Sequence, residues 1–516
     1  MKNNIGQLLF NTFGMITGKE IKVLDKNSEY HGVPTSTLME NAGKGVADFI
    51  TKRLHPKDII AFCGTGNNGG DGFVAARYLA KNYNLTVFLT GKEDEIRSDI
   101  SKNNFKKLKK SKVKIYDIGS LKLVDRLLTK NNIVIDSMLG IGLAGSLREP
   151  YLTLVKKINN AKKTIVSVDV PTGLGCSVAV KPSYTVTFHD IKEGMNEKNS
   201  GNIKIFDIGI PKKAAEYVGP GELVTYYPIP KEDSHKGNNG RVLVVGGGPY
   251  IGAPALSGLA ALRTGSDLVF IVAPKKAARS ITSFSPLWIT PERLAKETAR
   301  LSPNLIVREL TNEEMLVLDD IEIIEDYIPK IDAAIIGPGL GSDKKTKDAI
   351  EKVIIKCEKN GKKMVIDADA IQVVGKKPGI VKYSQTVITP HAGEFKELTN
   401  VKLDNNLEHR KKKVEEWAKR LGVTILLKGP TDVISDGEET KLNDVHNQAM
   451  TVGGTGDVLA GIVGALLSKG VEPFDAARIG AFLNGAAGNI AFERKSYGLI
   501  ATDIIEEIPR VLKKYL

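Results

Sequence analysis

Three glycines and an aspartate near the carboxyl end of the chain form the pattern with the clearest chemical meaning. Gly453, Gly454 and Gly456 lie just before Asp457, and the apolar run 458–467 that follows predicts a helix. The bare N–H groups of such a turn and the positive end of the helix dipole favour a bound phosphate. Asp457 is a poor phosphate ligand but a good base for a hydroxyl beside the phosphate. The pattern indicates phosphoryl transfer to a small alcohol, and a glycine-rich packing turn is the alternative.

A second polar motif lies between a predicted strand and a predicted helix in the amino-terminal half. It consists of Asn67, Asn68, Gly69, Gly70 and Asp71. Amide groups and a carboxylate at such a position can hold a ribose or a pyrophosphate. The spacing differs from G-x-G-x-x-G, so the sequence does not predict an ordinary dinucleotide site. A polar turn in which Asp71 caps the next helix is the alternative.

Two further aspartates end neighbouring predicted strands of the same half. Asp136 precedes a glycine-containing loop, and Asp169 precedes the sequence Val-Pro-Thr-Gly. Oxygen atoms of Asn68, Asp136 and Thr172 could form a cage for a hard cation, which prefers oxygen ligands. Asp169 could then transfer protons at the same site.

The elements that must position these residues alternate between short β-rich runs and helical runs. In the amino-terminal half the sequence predicts a helix over residues 72–83 and strands over residues 59–63, 85–90, 133–136, 164–170, 184–188 and 203–208. In the carboxyl-terminal half it predicts strands over residues 241–245, 268–273, 333–336, 364–366, 386–389 and 424–427. Such alternation predicts mostly parallel sheets with helices on both faces. Most strands of the second half end in polar or glycine-rich loops, and these loops are expected to converge on one deep site.

The length of 516 residues is too great for one hydrophobic core and predicts two domains of class α/β. Prolines and glycines between the two series of strands mark the connection. We therefore expect an extension at residues 1–17, an amino-terminal domain at residues 18–215, a linker at residues 216–235 and a carboxyl-terminal domain at residues 236–516. The amino-terminal domain is predicted to be a Rossmann-like three-layer α/β/α sandwich.

Composition argues against several classes of protein. A hydrophobic content of 42% and a charged content of 26% are ordinary for a folded chain and argue against disorder. Cys63, Cys176 and Cys357 lie far apart, which supports neither a disulfide framework nor a zinc site, so we expect a reducing, cytoplasmic environment. No apolar run reaches the roughly 18 residues of a membrane helix. The net charge of +13 includes lysines between residues 102 and 114 that predict a solvated helix face, so nucleic acid is not an expected partner.

The motifs together resemble those of the NAD(P)H-hydrate repair enzymes, over roughly residues 18 to 516. The amino-terminal half is similar to their epimerase domain in Met39–Gly43, Asn67–Arg77, Asp136–Gly142 and Ser167–Gly173. The carboxyl-terminal half is similar to their dehydratase domain in His235–Gly237, Gly252–Pro254, Gly337–Gly341, Asp367–Ala370, Thr389–His391, Lys428–Gly429 and Gly453–Asp457. That domain resembles the ribokinase superfamily, so the resemblance implies a ribokinase-like α/β/α fold for the second half.

For the amino-terminal domain the resemblance implies interconversion of the R and S forms of hydrated NADH and NADPH at C6 of the nicotinamide ring. Asp169 would act as the acid/base group. A potassium ion would bind Asn68, Asp136 and Thr172, and the family usually has serine in place of Thr172. The implied substrate-binding residues, besides Asp169, are Asn67, Asn68, Gly69, Gly70, Asp71, Gly140, Ile141, Gly142, Leu143, Ala144, Gly145 and Ser146. Ile141 departs from the polar residue that the family often has there.

For the carboxyl-terminal domain the resemblance implies dehydration of the S form, with ADP or ATP as phosphoryl donor. Phosphate is a better leaving group than hydroxide, so phosphorylation of the C6 hydroxyl makes its elimination easier. Asp457 would accept the hydroxyl proton, and Mg²⁺ would neutralise charge on the nucleotide. The implied nucleotide-binding residues are Lys428, Gly429, Pro430, Thr431, Asp432, Gly454, Thr455 and Gly456, and the implied substrate-binding residues are Ala253, Gly339, His391 and Asp457. We also expect a homo-oligomer whose ligands are small molecules.

Structural and functional alternatives remain at this point. His391 follows a proline and could simply cap a helix, and Lys428 could be a solvated strand end.

The whole chain could instead be a ribokinase-like kinase of small alcohols or vitamin precursors, fused to a non-catalytic domain that binds a ligand or RNA. A stable phosphorylated alcohol would identify the kinase. Salt-sensitive RNA binding without epimerase activity would identify the binding domain.

Overall fold

The computed structural model describes residues 15–111, 113–142, 145–283 and 304–516. The chain separates into two compact units, the first ending at Ala214 and the second beginning at Ala215. Two predicted substrate-binding residues, Leu143 and Ala144, lie outside the described residues, as does most of the predicted extension.

The first unit contains a seven-stranded sheet. Its strands are β1 (Asp58–Cys63), β2 (Asn84–Leu89), β3 (Lys114–Tyr116), β4 (Ile133–Ser137), β5 (Thr164–Val168), β6 (Tyr184–Phe188) and β7 (Asn202–Phe206). Their order is β3-β2-β1-β4-β5-β6-β7, and all neighbours are parallel. Its helices are α1 (Gly18–Tyr30), α2 (Thr35–Arg53), α3 (Asn67–Leu79), α4 (Asp99–Lys109), α5 (Val124–Lys130), α6 (Tyr151–Asn160) and α7 (Glu197–Ser200), and α8 (Lys212–Glu216) contains the division between the units.

Alternating side chains of β1 show why helices cover both faces of this sheet. Ile59 and Ala61 belong to one buried apolar cluster, whereas Ile60 and Phe62 belong to another. Successive side chains of a strand point to opposite faces, so a strand that is apolar at every position must be covered on both. The first unit is therefore a three-layer α/β/α structure, as the sequence predicts.

The second unit contains a nine-stranded mixed sheet. Its strands are β8 (Arg241–Val245), β9 (Leu268–Ala273), β10 (Leu305–Glu309), β11 (Ala333–Ile336), β12 (Lys363–Ile366), β13 (Thr386–Ile388), β14 (Thr424–Leu427), β15 (Asp432–Ser435) and β16 (Thr440–Asn443). Their order is β10-β9-β8-β11-β12-β13-β14-β15-β16. The strands from β10 to β14 are parallel, and β15 and β16 extend the sheet in antiparallel fashion.

Helices cover both faces of the second sheet as well. They are α9 (Pro220–Tyr226), α10 (Ala253–Arg263), α11 (Lys275–Ser283), α12 (Ile321–Glu325), α13 (Lys344–Lys359), α14 (Asp369–Lys376), α15 (Ala392–Thr399), α16 (Leu407–Leu421), α17 (Thr455–Ser468), α18 (Pro473–Lys495) and α19 (Ala501–Tyr515). Val242 and Val244 of β8 face one apolar cluster, and Leu243 and Val245 face the other. Short 3₁₀ turns occur at Glu93–Glu95, Ile118–Leu123, Leu318–Asp320, Ile328–Lys330, Pro378–Ile380, Gln448–Thr451 and Ser496–Gly498.

The segment 216–235, which the sequence predicts to be a linker, contains a packed helix. Glu222 of α9 is fully buried, and its carboxylate lies 3.8 Å from the guanidinium of Arg478 on α18. Part of this segment therefore belongs to the second unit. Within the described ranges, no helix combines the length and the apolar content needed to cross a bilayer.

Two candidate active sites

The Asn67–Asp71 motif forms the first turn of helix α3, which corrects the prediction of a loop followed by a helix at residue 72. The helix begins at Asn67 and its N-cap is Gly66, so Asp71 does not cap it. An added Cβ at Gly69 would lie 1.9 Å from the carbonyl oxygen of Gly64. The glycines of the motif thus let the helix lie directly against the strand ends, which places its polar first turn beside β1 and β4.

Asp136, at the end of β4, is fully buried and hydrogen-bonded on both carboxylate oxygens. Oδ1 accepts a bond of 2.6 Å from the Thr172 hydroxyl. Oδ2 accepts bonds of 2.9 Å from the Thr172 amide and 2.8 Å from the Ser167 hydroxyl. Burial raises the pKa of Asp136, and these bonds lower it only in part. The structure therefore brings the predicted cation ligands Asp136 and Thr172 into direct contact.

Asn68 contacts the backbone of Leu139, as Thr172 does. Its side-chain amide donates a 3.0 Å bond to the carbonyl oxygen of Leu139, while its Oδ1 is buried without a hydrogen-bond partner in the described structure. Gly140 is adjacent, since a Cβ there would lie 3.5 Å from the Cβ of Asn68. A buried, unpaired carbonyl oxygen costs free energy unless it finds a donor or a cation. The arrangement fits a hard cation.

Asp169 follows β5 in an unusual backbone conformation, with φ of +64°. Its Oδ1 lies 2.6 Å from the ammonium of Lys192, which is 2% exposed. The left-handed region is unfavourable for residues with a Cβ and persists where the surroundings hold it. Asp169 is therefore a carboxylate held in place beside a buried positive charge.

Two further carboxylates share the environment of Asp169. Burial, together with the negative charges of Asp169 and Asp25, raises the pKa of Asp71 well above its usual value. Burial and the charges of Glu29 and Asp169 raise the pKa of Asp25, on α1, to about 6. Lys192 opposes both shifts. The first site thus combines an ion-paired carboxylate with two carboxyl groups of raised pKa.

The remaining predicted residues of the first site lie around this centre with fewer contacts. Asn67 Oδ1 accepts a 2.6 Å bond from Ser98 at the start of α4. The carbonyl oxygen of Gly145 lies 3.0 Å from the thiol sulfur of Cys176. Ile141 packs next to Gly18, whose added Cβ would lie 2.6 Å from an Ile141 methyl carbon. Gly142 and Ser146 are exposed in the same loop.

In the second unit, the glycine turn leads into helix α17 as the sequence predicts. Gly454 is the N-cap with φ of +94°, and an added Cβ would lie 2.6 Å from Leu256. The helix starts at Thr455, and the N–H groups of a first helical turn have no acceptor within the helix. The Thr455 hydroxyl donates a 2.9 Å bond to the carbonyl oxygen of Met450, which closes the turn.

Asp457 lies in this first turn with a strongly perturbed carboxyl group. Burial, followed by the negative charge of Asp367, raises its pKa from 3.8 to about 7, although Lys428 opposes the shift. Glu394 and Asp369 contribute further negative charge. A base with a pKa near neutrality is suited to taking a proton at physiological pH.

Lys428, at the end of β14, is the cation at the centre of these carboxylates. Its ammonium lies 3.0 Å from Asp367 and 3.7 Å from Glu394. Desolvation lowers the pKa of Lys428, but the charges of Asp367 and Glu394 outweigh it and raise the pKa overall. An added Cβ at Gly456 would lie 3.4 Å from the same ammonium. Lys428 is therefore not a solvated strand end but lies against the start of α17.

His391 caps helix α15 through its side chain, which is the structural role considered from the sequence. Its Nδ1 accepts bonds of 2.9 Å and 3.3 Å from the backbone N–H groups of Gly393 and Glu394. The ring is nonetheless 61% exposed, so one edge remains available to a ligand. Gly339 and Ala253 lie together, since an added Cβ at Gly339 would be 3.1 Å from the Cβ of Ala253.

A cavity of about 740 Å³ lies beside the predicted nucleotide-binding residues. Its lining includes His391, Lys428, Gly429, Pro430, Asp432, Thr455 and Gly456, together with the segment Asn443–Gln448. Asp432 is the first residue of β15 rather than part of a loop, and it accepts bonds from the Gly429 amide (2.9 Å) and the Asn443 side chain (2.8 Å). Thr431 is half-buried in the turn before β15. The carboxylate of Asp432 thus shapes the wall of the cavity.

Several residues of these sites have no role predicted from the sequence. Lys192 and Asp25 lie in no motif, because each meets Asp169 only through the packing of the first unit. Asp367 and Glu394 follow predicted strands, but nothing in their spacing shows that they share one lysine. In the described part of the chain, no group of three or more His, Cys, Asp or Glu side chains has the arrangement of a metal site, so the ligands of Mg²⁺ stay unassigned.

Comparison with known proteins places both halves of the chain in sequence families. Residues 35–194 match the family described as YjeF-related protein N-terminus, and residues 242–510 match the family described as NAD(P)H-hydrate dehydratase. The chain is 39% identical over 524 residues to the bifunctional NAD(P)H-hydrate repair enzyme of Hyperthermus butylicus, an alignment covering 98% of this chain and 94% of that protein. It is 39% identical over 504 residues to the protein of the same name from Archaeoglobus fulgidus, covering 96% and 98%.

Proposed function

This chain belongs to the family of bifunctional NAD(P)H-hydrate repair enzymes, and from that premise we propose how its two sites divide the work. The first unit interconverts the R and S forms of hydrated NADH and NADPH. The second unit dehydrates the S form and so restores the reduced cofactor. The observation that carries the second assignment is Asp457, a carboxyl group with a pKa of about 7 at the start of a glycine-flanked helix beside Lys428.

In the first unit, Asp169 is the proposed acid/base residue. The hydrated carbon bears a hydroxyl next to a ring nitrogen, so proton transfer can promote loss and re-addition of that hydroxyl. A carboxylate whose position is fixed by its backbone and by an ion pair can transfer protons at one carbon of the bound ring. Asn67 and Asp71 lie at the first turn of α3, where their side chains can contact the polar parts of the dinucleotide.

A potassium ion fits the oxygen atoms of Asn68, Asp136 and Thr172. The unpaired Oδ1 of Asn68 supports this assignment, because a cation would satisfy it, and the buried carboxylate of Asp136 would balance the charge. When bound, the ion would supply a fixed positive charge at the ends of β4 and β5. Thr172 has the hydroxyl that serine has in most of the family, so the substitution retains the ligand atom.

In the second unit, Asp457 is the proposed base that accepts the proton of the C6 hydroxyl as a phosphoryl group is transferred to it. The N–H groups of Gly454, Thr455 and Gly456 belong to the N-cap and first turn of α17, and they can stabilise charge on that phosphoryl group. Lys428 adds a positive charge at the same position. Elimination of phosphate from C6, together with a proton from the neighbouring ring carbon, then restores the dihydronicotinamide.

The donor in this proposal is ADP or ATP bound in the cavity beside α17. A volume of about 740 Å³ is within the range of small-molecule sites. Bound Mg²⁺ would neutralise phosphate charge. We further propose that the protein is a homo-oligomer that acts on small molecules in the cytoplasm. Only the cytoplasmic location is supported by the three free cysteines, which are typical of a reducing compartment.

A single reaction mixture tests both assignments. Purified protein is incubated with mixed R and S hydrates, Mg²⁺ and either nucleotide, while dihydronicotinamide absorbance and phosphate release are recorded. We expect both hydrates to disappear, with one phosphate released for each cofactor restored. A stable phosphorylated alcohol as the end product would instead identify a small-alcohol kinase. If only the S form were converted, the assignment of epimerase activity to the first unit would be wrong.

A further inference from the structure

The side chain of Lys192 is the most deeply buried cation near the first site, and no sequence motif includes it. It is 2% exposed, and its ammonium contacts three oxygen atoms of the protein. These are Asp169 Oδ1 at 2.6 Å, the Thr187 hydroxyl at 3.0 Å and the carbonyl oxygen of Phe188 at 2.5 Å. A lysine ammonium has three protons, so these contacts use its whole capacity. Lys192 is therefore not available to bind substrate directly.

The backbone at Lys192 is anchored independently of its side chain. Residue 16 pairs with this segment in a parallel bridge, with bonds of 2.9 Å from the Ile16 amide to the carbonyl of Ile191 and 3.0 Å from the Glu193 amide to the carbonyl of Ile16. The ammonium is thus held at a fixed position rather than on a flexible stem. Its nearest charged neighbour, Asp169, is held equally firmly, because its amide donates a 2.8 Å bond to Val186.

The charges around this ion pair are unbalanced. Asp169 and Lys192 are joined by Asp71 from α3 and Asp25 from α1, and Glu29 and Lys26 lie further along α1 next to Asp25. Three carboxyl groups therefore compete for one buried ammonium. The ammonium lies in contact with Asp169, and an ion pair with this geometry fixes where the carboxylate lies. The pKa values of Asp71 and Asp25 are raised, chiefly by burial.

We propose that Lys192 is a positioning residue of the first site, which acts through Asp169 by fixing the position and orientation of its carboxylate. The proposal rests on the proposed epimerase function of this site. A general base transfers protons efficiently only when its carboxylate is held within hydrogen-bond reach of the reacting group.

The test compares Lys192→Met with a matched control, Lys204→Met, which removes an exposed lysine of β7. The rate constants kcat and kcat/KM for conversion of R hydrate to S hydrate are measured for both variants and the wild type. For Lys192→Met we expect kcat to fall by about tenfold or more with KM little changed, because a misplaced carboxylate slows proton transfer without removing a contact to the substrate. The control should retain the wild-type values. Circular dichroism and calorimetric unfolding of the whole chain report whether each variant is folded.

A double variant separates positioning from a general structural effect. If Lys192 acts through Asp169, adding Lys192→Met to Asp169→Asn should cause no further loss of epimerisation. A loss that adds to the loss of Asp169→Asn, or a change confined to KM, would overturn the proposal. So would a wild-type kcat in Lys192→Met. Absence of epimerisation in the wild-type protein would instead reject the proposed function of the first unit.

Discussion

The substitution Asp457→Asn should abolish dehydration and at the same time stabilise the second unit. The folded protein raises the pKa of Asp457 from 3.8 to about 7, chiefly through burial and the charge of Asp367. In the unfolded chain this carboxyl group is ionised above its ordinary pKa, whereas in the folded protein it resists ionisation. A raised folded-state pKa means that its contribution to stability is fully present below 3.8 and is lost as the pH rises through 7. Asparagine does not titrate, so the variant does not lose stability in this way as the pH rises.

The size of the effect follows from the shift. Each pKa unit corresponds to about 1.4 kcal/mol, so the shift from 3.8 to about 7 amounts to about 4 kcal/mol at pH 8. At pH 5 the carboxyl group is partly protonated even in the unfolded chain, and the stability advantage of asparagine falls to about 2 kcal/mol. Loss of a general base lowers turnover by about 10² to 10⁴-fold. The same change is therefore expected to increase stability and to remove activity.

Calorimetric unfolding of the whole chain at pH 5 and pH 8, without nucleotide, measures the stability difference, and phosphate release from S hydrate measures activity. The transition of the second unit is identified by its shift on adding nucleotide. Asp348→Asn, which changes an exposed aspartate of α13, is the matched control and should alter neither quantity. Unfolding of the variant at a lower temperature than wild type at pH 8 would show that the surroundings of Asp457 do not disfavour its ionised form. Continued dehydration of S hydrate would show that Asp457 is not the base.

Three other substitutions test the remaining features of the two sites. Asp169→Asn should lower epimerisation by about 10² to 10⁴-fold and leave dehydration of S hydrate unchanged, as separate assays of the two reactions would show. Thr172→Val removes the 2.6 Å hydrogen bond to the buried Asp136 and should lower the free energy of unfolding by about 1–3 kcal/mol, with a higher K⁺ concentration needed for epimerisation. Gly454→Ala places a Cβ 2.6 Å from Leu256, on a residue with φ of +94°. This substitution should lower the free energy of unfolding, measured with denaturant, by about 1–3 kcal/mol, and it should raise KM for the nucleotide.

Each of these expectations has its own contrary result. Loss of both reactions in folded Asp169→Asn would contradict the separation of the two sites. An unchanged K⁺ requirement in Thr172→Val would place the cation elsewhere. Gly453→Ala is the control for the glycine turn, because a Cβ there meets nothing within 4 Å and the residue does not have a positive φ. Equal effects of the two glycine substitutions would show that the conformation of Gly454 is not what the turn requires.

Periodicity in the sequence was sufficient to locate the buried parallel strands. The predicted strands 241–245, 268–273, 333–336 and 424–427 coincide with β8, β9, β11 and β14. These strands are covered on both faces, so they appear in the sequence as continuous apolar runs. The strands that sequence analysis missed are β3, β10, β15 and β16, of which β15 and β16 form an antiparallel extension of the sheet and carry polar residues. β3, β10 and β16 are edge strands, which bury less, so their sequences resemble loops. β15 is internal and buried, but it has only four residues, two of them polar.

The glycine-rich motifs were located correctly but one was assigned the wrong local structure. Glycines around Asn67 predicted a loop, whereas the structure places them in helix α3, because the absence of Cβ atoms there allows close packing rather than a positive φ. At Gly454 the same residue type does adopt a positive φ. Sequence alone does not distinguish these two uses of glycine.

What the sequence by itself determined is the α/β class, the family and the position of polar motifs after predicted strands. These depend on residue type and on short spacings. The tertiary structure alone decided that Lys192 meets Asp169, that Lys428 meets Asp367, and that Asp457 has a pKa of about 7. Charge interactions depend on distance and on removal from water, and both are set by packing between residues far apart in the chain.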